Sequence, residues 1–102
     1  MSRRYSRDSI DSNHNDIVKT FRSLGCIVRS TTCVKGFCDM VVVHDNNVIL
    51  VEVKDGEKPP SQRKLTPMEL EFHNQVETKG CKVYIIESNS QAIELIKTIN
   101  NK

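Results

Sequence analysis

Residues 36–54 read Gly36-Phe37-Cys38-Asp39-Met40-Val41-Val42-Val43-His44-Asp45-Asn46-Asn47-Val48-Ile49-Leu50-Val51-Glu52-Val53-Lys54. Two apolar runs, 37–44 and 47–54, flank Asp45-Asn46-Asn47. The runs are rich in β-branched residues and the link between them is turn chemistry, so the stretch predicts a β-hairpin. Both strands are nearly apolar throughout. Strands of that kind are covered on both faces, and helices are the expected cover. Three charged residues interrupt the pattern: Asp39, Glu52 and Lys54. A charge in such a place is costly unless it is paired or bound to a metal.

The segments on either side supply the helices. Ile17, Val18, Phe21 and Leu24 fall on one helical face, with Asp11 or Ser12 as cap and Gly25 as stop. Cys26-Ile27-Val28 begins a short strand at or near a sheet edge. After the hairpin, Asp55 to Lys64 reads as a loop, because Pro59-Pro60 opposes regular structure. Thr66-Pro67-Met68-Glu69 reads as a capping box with Pro at the first helical position. Met68, Phe72 and Val76 line one face of the helix that follows, and Gly80 ends it. Residues 82–86 form a strand. Ser88 or Ser90 caps a last helix faced by Ile93, Ile96 and Ile99, with Leu95 beside them. The order is α-β-β-β-α-β-α. Strand, helix and strand from 47 to 86 allow a parallel crossover beside the antiparallel hairpin. The fold class is therefore α/β, with a mixed β-sheet flanked by helices.

The hairpin turn decides what meets across the strands. If Asp45-Asn46 is the loop, Asp39 lies opposite Glu52. If Asn46-Asn47 is the loop, Asp39 faces Lys54. Glu52 and Lys54 are two apart and share a strand face, so either register gathers all three side chains. Opposed carboxylates repel until they share a divalent cation. Mg²⁺ prefers one or two carboxylates, several waters and a phosphate oxygen. A lysine beside it can orient water or stabilise charge building on phosphorus. The alternative is a buried acid–lysine pair with no catalysis.

Gly36-Phe37-Cys38-Asp39 followed by Glu52-Val53-Lys54 resembles the PD-(D/E)XK nuclease superfamily. More narrowly it resembles the VRR-NUC branch, over about residues 13–87. The Lys/Pro/Ser-rich loop Lys58 to Lys64, the Thr66-led helix start with Glu69 in its first turn, Gly80 and the strand 83–86 follow that branch's order. The resemblance implies a restriction-endonuclease-like fold and a nuclease domain over 12–102. It implies Asp39, Glu52 and the Val53 carbonyl as ligands to Mg²⁺ or Mn²⁺, and Lys54 as the catalytic lysine. Glu69 matches the branch's Gln/Glu position, with the capping box as its other reading. Cys38 stands where the branch usually has Pro, which leaves the strand entry less rigid. Many relatives carry an acidic residue on the first helix near the metal; Asn13 and Asp16 are the candidates here, with capping and solvation as the plainer reading. Small stand-alone members are similar to Holliday-junction-resolvase-like phage proteins, and this similarity implies a homodimer.

Lys58, Arg63 and Lys64 flank the site in the loop, where basic side chains meet phosphates with little sequence readout. His73, one turn after Glu69, is a further phosphate contact or an idle surface histidine. The segment 1–11 reads as a loose basic arm, with Arg3, Arg4 and Arg7 near phosphates and Tyr5 as a stacking ring. With these residues, the resemblance implies a metal-dependent DNA endonuclease selective for branched, flap or junction DNA in replication, recombination or repair. The rival is a decayed nuclease fold that only binds nucleic acid, and Asn13 is its best support.

Composition is consistent with this reading. The chain has 102 residues, 37% hydrophobic and 27% charged, as in an ordinary globular protein. Residues 1–35 carry a net charge of +4, residues 36–71 of −3 and residues 72–102 of +1. A basic start and acidic middle suit a protein that meets a polyanion and holds a cation. No apolar run approaches the length of a membrane span. Residues 1–11 lack the apolar core of a secretory signal, so a cytoplasmic setting is expected. Cys26, Cys33, Cys38 and Cys81 lack paired zinc-knuckle spacing and are expected to stay reduced. Cys26 and Cys81, each after a Gly, are expected to pack as small hydrophobes.

Overall fold

The computed structural model describes residues 12–100. Helix α1 (His14–Ser23) is followed by strands β1 (Ile27–Ser30), β2 (Met40–His44) and β3 (Asn47–Val53). Helix α2 (Pro67–Thr78), strand β4 (Val83–Ile86) and helix α3 (Asn89–Asn100) complete the order, which is the expected one. The four strands lie side by side as β1-β2-β3-β4. The first two pairings are antiparallel, and β3 with β4 is parallel. β1 is an edge strand, as its position in the sequence suggests.

Alternation along the strands separates two faces. Val28, Met40, Val42, Ile49, Val51, Val53 and Ile86 are buried together with Ile17, Val18 and Phe21 of α1 and Ala92, Leu95 and Ile96 of α3. This is the core. α1 stops where expected: Gly25 takes φ +89°, and the Gly25 N–H donates to the Arg22 carbonyl at 3.0 Å. α3 is capped by Ser88, whose Oγ accepts the Gln91 N–H at 3.2 Å, while Gln91 reaches back to the Glu87 N–H at 2.7 Å. Ile93, expected on its core face, is only half-buried; Ala92 takes that place.

The opposite face is less covered than the apolar strands predict. α2 lies beside its Glu52 end, yet Ile27 is 56% exposed and Val48 70%. A helix about 10 Å across cannot cover four strands spaced about 4.8 Å apart. α2 itself is turned from the expected face: Met68 is exposed, whereas Phe72 and Val76 are half-buried and His73 is buried. The loop before it contains a single 3₁₀ turn, Pro60–Gln62, which a proline in its first position permits. The hairpin resolves to the loop Asp45-Asn46, with His44 opposite Asn47. Asp45 takes φ +53°, a left-handed conformation that Asp tolerates.

Candidate active site

Asp39 stands just ahead of β2 rather than within it. Gly36 brings the chain there with φ +75°, and a Cβ at Gly36 would meet the Met68 Cε at 2.8 Å. Of the two possible registers, the one with the loop Asp45-Asn46 would set Asp39 directly opposite Glu52. Instead the Asp39 N–H donates to the Val51 carbonyl at 3.0 Å. The ladder that pairs Met40 with Val51 is thus offset by one residue at Asp39, as at a bulge, which re-aims the side chain. The Asp39 Oδ2 accepts the Val53 N–H at 2.7 Å. A carboxylate therefore takes the place of a strand carbonyl beside Glu52.

The residue that holds this turn is Thr31, which no local pattern announces. The Thr31 N–H donates to the Asp39 carbonyl at 2.8 Å, and its hydroxyl donates to the Cys38 carbonyl at 2.7 Å. Cys38 is buried, and its thiol donates to the Met40 carbonyl at 3.4 Å. Burial raises its pKa further than the Thr31 hydroxyl lowers it, which keeps the thiol neutral. The entry that Pro would stiffen through its ring is here stiffened by Thr31.

Glu52 lies on the face opposite the core and is 1% exposed. Burial, then the Asp39 carboxyl and then the Glu69 carboxyl push its pKa up to about 10. Lys54, on the same strand face, places its Nζ 3.0 Å from the Glu69 Oε1. Glu69 closes the expected capping box and also reaches Lys54. Its Oε1 also accepts the Thr66 N–H at 2.9 Å, while the Thr66 Oγ1 accepts the Glu69 N–H at 3.2 Å. Burial works to raise the Glu69 pKa, but the Thr66 N–H and the Lys54 ammonium outweigh it and hold it below the usual carboxylate range. Three carboxyl groups and one lysine thus meet at one point.

His73 is not on the surface. It is 8% exposed, with Nε2 3.5 Å from the Glu52 Oε1. Burial pushes its imidazole below the ordinary histidine range, with Glu69 pulling the other way. The reading of His73 as an idle surface histidine is therefore corrected: α2 turns it inward. Phe37 and Phe72 meet edge-to-face at 5.2 Å and fix α2 over the turn that carries Asp39.

The first helix does not complete the cluster. Asn13 is the α1 N-cap residue but makes no side-chain cap. Its Nδ2 donates to the Lys54 carbonyl at 3.2 Å and the Glu87 carbonyl at 3.1 Å, tying the ends of β3 and β4 together. Asp16 is exposed. Ser12, an expected cap, donates to Asp55 at 3.0 Å instead. Lys58 and Lys64 are exposed on the loop, whereas Arg63 pairs with Glu87 at 3.3 Å. Arg3, Arg4, Tyr5, Arg7 and Asp11 lie outside the described residues. Cys26 and Cys38 are buried and Cys33 and Cys81 exposed, all as free thiols, so Cys81 does not pack as expected. No helix among the described residues is long and apolar enough to cross a membrane.

Among the described residues no three His, Cys, Asp or Glu side chains form a ready metal cage. The set at hand is the smaller one that Mg²⁺ uses: one or two carboxylates, with the remaining positions left to water and substrate. The crowding of Asp39 and Glu69 around buried Glu52 is an excess of negative charge that a divalent cation would relieve. The donor set fits such an ion on those grounds.

No protein-family model matches the chain, and no curated protein matches it. A solved structure described as a VRR_NUC domain is similar over 85% of this chain and 97% of that one, with a TM-score of 0.63 and 26% identity. The fold thus bears out the resemblance to the VRR-NUC branch of the PD-(D/E)XK nucleases that Asp39 and Glu52-Val53-Lys54 carry in the sequence.

Proposed function

We propose that the chain is a Mg²⁺- or Mn²⁺-dependent endonuclease that hydrolyses phosphodiester bonds in branched, flap or junction DNA. The likeness to a VRR_NUC domain supports the nuclease class. The observation that carries the reading is the meeting of Asp39, Glu52 and Lys54 at the C-terminal end of β3, with Glu69 on the lysine. In this reading residues 12–102 act as one nuclease domain in the cytoplasm. Asp39, Glu52 and the Val53 carbonyl would hold the cation, which would supply Lewis-acid polarisation of the scissile phosphate. Glu69 aims the Lys54 ammonium. Lys54 orients the attacking water and stabilises charge on the phosphoryl oxygens as the water oxygen bonds to phosphorus and the P–O ester bond breaks. Lys58 and Lys64 meet neighbouring phosphates, and Arg63 joins them on leaving Glu87. A second copy of the chain enlarges the DNA-facing surface. In this reading Asn13, which donates to the carbonyls just past β3 and β4, ties the strand ends together, and a nuclease fold that only binds nucleic acid is the alternative.

The test is cleavage of labelled single-stranded, duplex, flap and four-way-junction DNA with Mg²⁺, with Mn²⁺ and with EDTA. Lys54→Ala is the control. Cutting that needs metal and drops at least ~100-fold in the variant is expected, in line with the loss of one positioned catalytic group. DNA binding without any cutting would overturn the enzyme in favour of a binding module.

A further inference from the structure

One face of α2 serves the site at two levels. Glu69 meets Lys54, and His73, one turn later, meets Glu52. Residues four apart lie one above the other on a helix, so fixing α2 fixes both contacts. The Phe37–Phe72 contact and the Thr66 capping box do so. Glu52 is 1% exposed and His73 8%, so water does not provide the carboxyl with an alternative partner on that side.

We propose that His73 is a positioning residue that holds the Glu52 carboxylate in the rotamer needed for cation binding. The proposal rests on the nuclease reading. A glutamate turns about three side-chain bonds, and a ligand that must be frozen from three freedoms binds weakly unless something else holds it. With Glu52 ionised, its oxygens only accept hydrogen bonds, so Nε2 of His73 carries the hydrogen and donates. The 3.5 Å separation is long for such a bond. Partners of this kind behind a ligand typically govern metal affinity by 10–100-fold. A buried histidine serving packing alone would be replaceable by an apolar ring.

The test is titration calorimetry of Mn²⁺ into wild type, His73→Phe and His73→Gln, with circular dichroism as the check of folding. Phe keeps the ring without the donor. Gln places an amide nitrogen near the position of Nε2. A 10–100-fold weaker Mn²⁺ affinity in His73→Phe is expected, largely restored in His73→Gln. Duplex binding in EDTA is expected to be unchanged in both. If His73→Phe unfolds, His73→Gln beside His73→Asn, whose amide is one carbon shorter, makes the same comparison. Equal Mn²⁺ affinity across wild type and variants would overturn the positioning role alone. Weaker DNA binding in EDTA with Mn²⁺ affinity intact would return His73 to a phosphate contact. A wild type that takes no Mn²⁺ would overturn the metal-dependent reading, and this inference with it.

Discussion

Glu52 is a carboxyl set into the apolar strand β3. A glutamate in a run of Val, Ile and Leu already signals an unusual demand. The structure explains the demand: a carboxyl 1% exposed, facing Asp39 and Glu69, whose pKa rises to about 10 without metal. The raised value has a definite sign. Its contribution to stability is full below the unfolded pKa, near 4.5, and is lost as pH rises toward 10. In EDTA, Glu52→Gln is therefore expected to melt above wild type at pH 8 by about 4 °C or more, equivalent to about 1 kcal/mol. The gap should close toward pH 5, and saturating Mg²⁺ should favour wild type. Melting curves in EDTA and in Mg²⁺ at both pH values check this. The same gap at pH 5 and pH 8 would mean that Glu52 is not held protonated. Asp39 and Lys54 were legible for the same reason as Glu52, as charges in apolar surroundings. Thr31 was not legible, because its partner carbonyl lies seven residues away and nothing in a threonine's local spacing announces that bond.

At the scale of elements, the hairpin and its flanking helices follow from local chemistry, but the rotation of α2 does not. Met68, Phe72 and Val76 suggested an apolar seam. The helix instead turns Glu69 and His73 inward, because Lys54 and Glu52 supply polar partners there. A purely hydrophobic reading misplaces a helix whose buried contacts are partly ionic. The same holds for β2, which starts at Met40 because the Asp39 carboxylate has taken over a ladder position. The element that carries Glu69 and His73 is held at its start by the Thr66 box. Thr66→Ala removes the acceptor for the Glu69 N–H and is expected to cost about 1 kcal/mol. For a chain of this size that lowers the melting temperature by about 4–8 °C. Thr66→Ser keeps the oxygen and is expected to melt within about 2 °C of wild type, since Ser and Thr cap comparably. An alanine variant as stable as the serine one would show that the box does not hold α2.

The whole molecule limits what the site can recognise. The body measures 37 × 31 × 28 Å, about one turn of duplex DNA, which advances about 34–36 Å. One chain therefore reaches few phosphates, and its exposed loop cations are a substantial share of any footprint. Lys64 is exposed between the Arg63–Glu87 pair and the start of α2, two residues before the Thr66 cap. A lysine that neutralises one phosphate adds about 0.9 to the slope of log affinity against log salt. Lys64→Ala is expected to flatten that slope by about this amount, measured by fluorescence anisotropy on a labelled duplex in EDTA between 50 and 200 mM KCl. The loss should be the same on duplexes of unrelated sequence, because phosphate contacts position the protein and carry no base readout. Lys97 lies in the last turn of α3 and is exposed. Lys97→Ala is the matched control, and it should leave the slope unchanged if the DNA path is confined to the α2 side. Equal flattening by both variants would mean that charge alone draws DNA to the protein, and a flat response to both would remove the loop from the binding surface.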